Sequence, residues 1–156
     1  SGLAQVGLES ELDAGGFLEG QLLGVSHGVS TTSTYGESKV YAERLGEHSA
    51  REHGLTVVAV RLGTVTPDES LHWERGGRLQ ATAFLQADAA EFFSRAVVAD
   101  LTVWEPASCE GHPAVLGYLL TAAQSDSPGR FVDLEPGISS LGWVPIPWPD
   151  GPDDLP

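Results

Sequence analysis

Tyr35 and Lys39 stand four residues apart at the start of a helix-like run. Residues at i and i+4 of a helix share one face. An ammonium held beside a phenol stabilises the phenolate, because an opposite charge favours the ionised form. Such a pair moves a proton on and off a substrate hydroxyl near neutral pH. A second spacing, Gly24-Val25-Ser26-His27-Gly28, fits Gly-x-Ser-x-Gly. That nucleophile elbow needs a strand before it and a helix after it. The following Val29-Ser30-Thr31-Thr32-Ser33-Thr34 is β- and turn-prone, which argues against a serine hydrolase. His72 and His112 would serve as bases only if the fold happened to bring them near. Tyr-x-x-x-Lys recurs by chance, so the elements around it decide its meaning.

Those elements read as α/β. Tyr35 to His53 is expected to be a helix with an apolar stripe of Val40, Tyr41 and Leu45, stopped by Gly54. Leu55 to Leu62 is rich in β-branched residues without polar alternation, the pattern of a strand buried on both faces of a parallel sheet. Thr66 to Gly77 reads as a polar loop. Gln86 to Asp100 reads as a helix with Asp88 near its positive end and Phe92, Phe93, Ala96 and Val97 as its core face. Ala114 to Ala122 is a second strand candidate, Gln124 to Arg130 a turn, and Leu134 to Leu141 a short helical turn limited by Pro136 and Gly137. Leu18, Leu22, Leu23 and Val25 fit a short strand or helix equally. From Pro145 onward a frayed acidic tail is expected. The organisation is an unassigned segment over 1–34, an α/β part over 35–145 and an acidic Pro-rich tail over 146–156.

Composition narrows the functions. With 8 basic against 22 acidic residues the formal charge is −14, which argues against nucleic acid and anionic membranes as partners. The single cysteine, Cys109, rules out an internal disulfide and suits a reducing, cytoplasmic compartment. A cysteine zinc site is excluded on the same count, and the histidines are scattered, so no metal is expected. No apolar run approaches transmembrane length, and no basic leader is visible. Met is absent even at position 1, so the sequence is expected to start inside a longer gene product.

The text Ser33-Thr34-Tyr35-Gly36-Glu37-Ser38-Lys39, then Ala42-Glu43, then Gly54 to Val65 resembles the extended short-chain dehydrogenase/reductases, the NAD-dependent epimerases and dehydratases. Within that branch it is most similar to the uronate dehydrogenases. Arg78 to Leu85, Phe131-Val132-Asp133-Leu134 and Leu141-Gly142-Trp143-Val144-Pro145 look like their downstream segments. The resemblance runs from about Ser33 to Pro145. It implies a Rossmann-like, doubly wound domain in which Tyr35 is the acid/base and Lys39 holds the nicotinamide ribose hydroxyls and stabilises the phenolate. It also implies a catalytic serine ahead of the tyrosine. Ser26 stands nine residues before Tyr35, closer than the family spacing; Ser10 has about the right spacing in the wrong surroundings. For either, a loop serine is the plainer reading. Thr64 lies just past a predicted parallel strand, where open α/β sheets bind ligands. The resemblance assigns it to the sugar acid, and a capping threonine is the plainer reading. Arg78 corresponds to the arginine that grips the substrate carboxylate, a task suited to a bidentate guanidinium; a solvated loop arginine is the plainer reading. Asp88 reads as a helix-start residue, and Trp104, Trp143 and Trp148 as packing residues.

What the pattern lacks is as informative. A dinucleotide-binding domain opens with a strand, a Gly-rich turn and a helix. No Gly-x-Gly-x-x-Gly occurs here, and Gly15, Gly16 and Gly20 have the wrong spacing. The chain therefore looks like the C-terminal half of such an enzyme, without the N-terminal Gly-rich half. The expected function is NAD- or NADP-dependent oxidation or epimerisation of a small sugar or sugar acid, a uronate by preference. The expected partners are a homo-oligomer copy or the missing half. The competing reading is an inactive half-domain that acts, if at all, as a binding or assembly piece.

Overall fold

The computed structural model describes residues 22–27, 29, 31, 33–73, 77–101 and 115–151. Helix α1 spans Thr34–His53. Ser33 caps it, its Oγ accepting from the Gly36 N–H at 3.1 Å, which satisfies one of the orphan donors of the first turn. Glu37 in the first turn and Arg51 and His53 in the last suit the helix dipole. Gly54 stops the helix at φ 65°, its N–H donating to the Ala50 carbonyl at 3.0 Å. A side chain would strain that left-handed turn.

Strand β1, Val57–Leu62, follows. A single turn of 3₁₀ helix, Glu69–Trp73, lies inside the expected polar loop. Then come α2, Arg78–Ala81; α3, Gln86–Val98; β2, Tyr118–Ala123; and α4, Glu135–Leu141. The two strands pair in parallel, from Val57 opposite Tyr118 to Leu62 opposite Ala123. Two isolated parallel bridges lie outside the strands, Thr64 to Ala83 and Leu23 to Val132. Leu22 to His27, open between strand and helix in the sequence, forms that bridge and a short 3₁₀ turn, Val25–His27.

Helices cover both faces of this small sheet. On one face Arg61 meets Glu43 of α1, and the Tyr118 hydroxyl donates to the Glu43 carbonyl at 3.1 Å. On the other, Leu119 and Val132 are buried with Phe84, Phe92, Leu134, Leu141 and Trp143, and Val58, Val60 and Leu62 pack against them. Phe92 stands edge-on to Trp143 at 5.1 Å between centroids and to Phe84 at 6.2 Å, geometries favoured by the ring quadrupoles. The architecture is a partial doubly wound α/β layer.

Four expectations need correction. Tyr41 is 67 % exposed and Leu45 49 %. The inward face of α1 is instead Gly36, Val40, Glu43, Gly46, Glu47 and Ala50, a stripe at helical spacing built from small and paired polar residues. On α3 the inward line is Asp88, Phe92 and Ala96, while Phe93 and Val97 face outward. β1 is half-buried rather than buried on both faces, and among the described residues it pairs with β2 alone. The residues just after Pro145 are held rather than frayed: the Ile146 N–H donates to Asp88 Oδ1 at 2.8 Å, and Trp148 stacks on Trp73 at 5.0 Å.

Candidate active site

The cap at Ser33 starts α1 so that Tyr35 and Lys39 occupy successive turns of one face. Lys39 Nζ lies 4.9 Å from the centre of the Tyr35 ring, a cation–π distance. Tyr35 is 50 % exposed, so its hydroxyl is open to a ligand. Both residues line a cleft of about 340 Å³. One wall is α1, through Tyr35, Gly36, Lys39, Val40 and Glu43; the other is the whole length of β1. Arg61 is bound in a two-pronged contact by Glu43, at 2.9 Å from Nε to Oε1 and 3.0 Å from Nη2 to Oε2. Its charge is thereby matched, and the pair locks the helix carrying Tyr35 to the strand. Burial and the neighbouring Glu43 and Glu47 push the Tyr118 phenol well above its ordinary range, so it stays protonated and donates to the Glu43 carbonyl.

The other candidate residues lie elsewhere. Thr64 donates its N–H to the Thr82 carbonyl at 2.6 Å, and its hydroxyl shares a 2.9 Å hydrogen bond with that of Thr82. Thr82 Oγ1 in turn donates to the Arg78 carbonyl at 3.0 Å. Thr64 and Arg78 thus belong to one bonded patch beyond the C-terminal end of β1, and neither lines the cleft. Ser26 is exposed on the 3₁₀ turn before α1 and does not line the cleft either. His72 is fully buried with Nδ1 on the Leu79 carbonyl at 3.0 Å, a core position rather than that of an accessible base. Trp143 is a core residue. Ser10, Trp104, Cys109 and His112 lie outside the described residues.

Sequence reasoning missed how far Asp88 is buried. It has no exposed surface. Its Oδ2 accepts from Ser125 Oγ at 2.5 Å and its Oδ1 from the Ile146 N–H, while Ser125 Oγ accepts from the Leu85 N–H at 2.9 Å. Burial raises the carboxyl above its ordinary value, with Asp126 and Glu69 adding to the rise and the Ser125 and Ile146 contacts opposing it. The one sequence signal for it is an acid in the first turn of a helix directly after the apolar Ala83-Phe84-Leu85.

Among the described residues no group of three His, Cys, Asp or Glu side chains is placed to hold a metal, and no helix is long and apolar enough to cross a membrane. No family model matches the chain. It is 27 % identical over 111 residues to the uncharacterized protein YtbQ of Bacillus subtilis (strain 168), a stretch that is 71 % of this chain and 38 % of that protein. Among solved structures it superimposes on the glucuronic acid dehydrogenase of Chromohalobacter salexigens with a TM-score of 0.61 at 22 % identity, covering 81 % of this chain and 40 % of that one. The uronate dehydrogenase of Agrobacterium tumefaciens gives 0.62 at 22 % identity with the same coverage. A tyrosine-to-alanine mutant of that enzyme, complexed with NAD, gives 0.62 at 21 %. The fold is therefore part of a uronate dehydrogenase fold, and the chain spans about 40 % of the length of those structures.

Proposed function

We propose that the chain is the catalytic, substrate-side portion of an NAD-dependent sugar oxidoreductase that acts on a uronate. The observation that carries this reading is the Tyr35–Lys39 pair, set on one helix face in a cleft beside a parallel strand, on a fold shared with uronate dehydrogenases. The described residues fit only the nicotinamide-ribose end of a dinucleotide. Lys39 is the donor for ribose hydroxyls, and no Gly-rich turn for the pyrophosphate occurs in the sequence. When bound, NAD supplies the hydride acceptor. Tyr35 is the group that takes the proton of the sugar hydroxyl, with the Lys39 ammonium held over its ring. Ser26 is the candidate for a serine that shares that hydroxyl, although it does not line the cleft. Thr64 and Arg78, on their patch past β1, are the residues for the sugar acid, with the guanidinium paired to its carboxylate.

The test uses the chain joined to a nucleotide-binding half. Tyr35→Phe should lower kcat by about 10²–10⁴-fold, the usual share of general acid–base catalysis, with NAD affinity nearly unchanged. An unchanged kcat removes Tyr35 as the acid/base. A second reading, a half-domain without activity that serves as a binding or assembly piece, draws support from the edge of β1 that no strand among the described residues pairs with.

A further inference from the structure

Helix α2, Arg78–Ala81, is a single turn, too short to hold its own shape in water. Two side chains with no exposed surface grip it from outside, His72 and Gln124. His72 Nδ1 lies 3.0 Å from the Leu79 carbonyl oxygen, and Gln124 Nε2 donates to the Ala81 carbonyl at 2.9 Å. A carbonyl only accepts, so His72 Nδ1 carries a hydrogen. The two side chains come from different parts of the chain, His72 from the 3₁₀ turn before α2 and Gln124 from the position after β2. Gly63 makes room for the second contact. Leu62 is in register with Ala123, so Gly63 stands beside Gln124, and a Cβ there would lie 2.8 Å from Gln124 Cβ. Each grip leaves a polar atom behind. His72 Nε2 and Gln124 Oε1 are buried without a hydrogen-bond partner among the described residues. A buried polar atom without a partner costs stability. Arg78 opens the gripped turn and is exposed. Its carbonyl takes bonds from the Thr82 N–H and hydroxyl.

We propose that His72 and Gln124 are positioning residues for Arg78. By holding α2 at the Leu79 and Ala81 carbonyls, they fix the base of the Arg78 side chain so that its guanidinium meets a sugar carboxylate in a two-pronged contact. The proposal rests on the role given to Arg78 above. A bidentate guanidinium–carboxylate pair is strict in direction, and an arginine on a turn free to roll loses one prong. Neither His72 nor Gln124 touches the ligand; both act through the backbone of α2. The unpartnered atoms fit this role. An apolar side chain at either place would spare the core a buried polar atom, and what it would give up is the grip on the turn.

The experiment is NMR titration of the full, isotopically labelled chain with glucuronate and with glucose, its neutral counterpart, joined to thermal melts of the same samples. In wild type, glucuronate should shift the amides from Arg78 to Thr82 and glucose should not. Gln124→Met keeps the length of the side chain and has no donor. His72→Leu also removes a donor, and His72→Asn restores one near the place of Nδ1. Gln124→Met and His72→Leu should each weaken glucuronate about tenfold, the worth of one charge-assisted hydrogen bond. His72→Asn should stay within about twofold of wild type. The melting temperatures of Gln124→Met and His72→Leu should fall by no more than about 4 °C. Each removes an unpartnered buried atom, and water reaches the carbonyls of the half-buried Leu79 and Ala81. Wild-type affinity in both Gln124→Met and His72→Leu would overturn the proposal and leave Arg78 its role. A melting temperature that collapses together with the affinity would also overturn it, as would an Asn at 72 that binds as poorly as Leu; the pair would then be ordinary core residues. Absence of any glucuronate shift from Arg78 to Thr82 in wild type would overturn both the proposal and the carboxylate role of Arg78. The role of Tyr35 is read from kcat and stands or falls apart from these.

Discussion

Asp88 is the sharpest test of how this small domain is held together. Its carboxylate is the acceptor for the Ser125 hydroxyl and the Ile146 N–H, and so ties the start of α3 to the loop after β2 and to the C-terminal segment. Asp88→Ala leaves both donors without a partner. An unsatisfied buried donor costs about 1–3 kcal/mol, and removing a desolvated carboxylate returns part of that. The expected loss at pH 7 is therefore about 2–4 kcal/mol. Asp88→Asn keeps an acceptor for Ile146 and offers its amide N–H to Ser125 Oγ, so it should stay within about 1 kcal/mol of wild type. The two variants also differ in pH dependence. Burial raises the folded carboxyl above its ordinary 3.8, so the native state holds this proton more tightly than the unfolded chain does. Stability from this group is fully present below the unfolded value and is lost as pH rises through the folded one. Wild type should therefore gain on Asp88→Asn as pH falls from 7 toward 4. Urea unfolding followed by tryptophan fluorescence reads both effects, since Trp143 sits in the core beside Phe92. A loss for Asp88→Ala below about 0.5 kcal/mol, the scatter of surface substitutions, would refute the reasoning. A wild type that loses ground to Asp88→Asn on acidification would do the same.

Glu43→Gln should destabilise by about 2–3 kcal/mol in the same assay, below the cost of breaking a wholly buried pair, because it strips the carboxylate from an Arg61 that is only 8 % exposed. Gly63→Ala places a Cβ 2.6 Å from the Thr82 carbonyl oxygen and 2.8 Å from Gln124 Cβ. Neither neighbour is a flexible tip, so a loss of about 2–3 kcal/mol from overpacking is expected. A melting temperature equal to that of wild type would contradict it.

The elements that were legible in the sequence are those with a local cause. Gly54 stops α1 because the chain needs a left-handed turn there, and the run before Leu62 forms a strand because β-branched residues suit a pleated surface. The Tyr35–Lys39 face follows from helix spacing alone. What was not legible depends on tertiary pairing. An apolar count on α1 selects Tyr41 and Leu45, yet the face against the sheet is Gly36, Glu43, Gly46 and Ala50. That choice makes sense only once Glu43 has Arg61 as its partner, 18 positions away in sequence. Asp88 likewise reads as an ordinary helix-start acid until Ser125 and Ile146 arrive from far downstream.

These distant pairs also decide how the site is held. The bidentate Arg61–Glu43 contact joins the helix that carries Tyr35 to the strand that forms the opposite wall of the cleft. Thr64 and Arg78 are held by a separate set of bonds through Thr82. The Tyr35–Lys39 face and the Thr64–Arg78 patch are therefore supported by different parts of the domain. Weakening the Glu43 pair should loosen the Tyr35 wall and leave the Thr64 patch intact, whereas Gly63→Ala acts on that patch through Thr82.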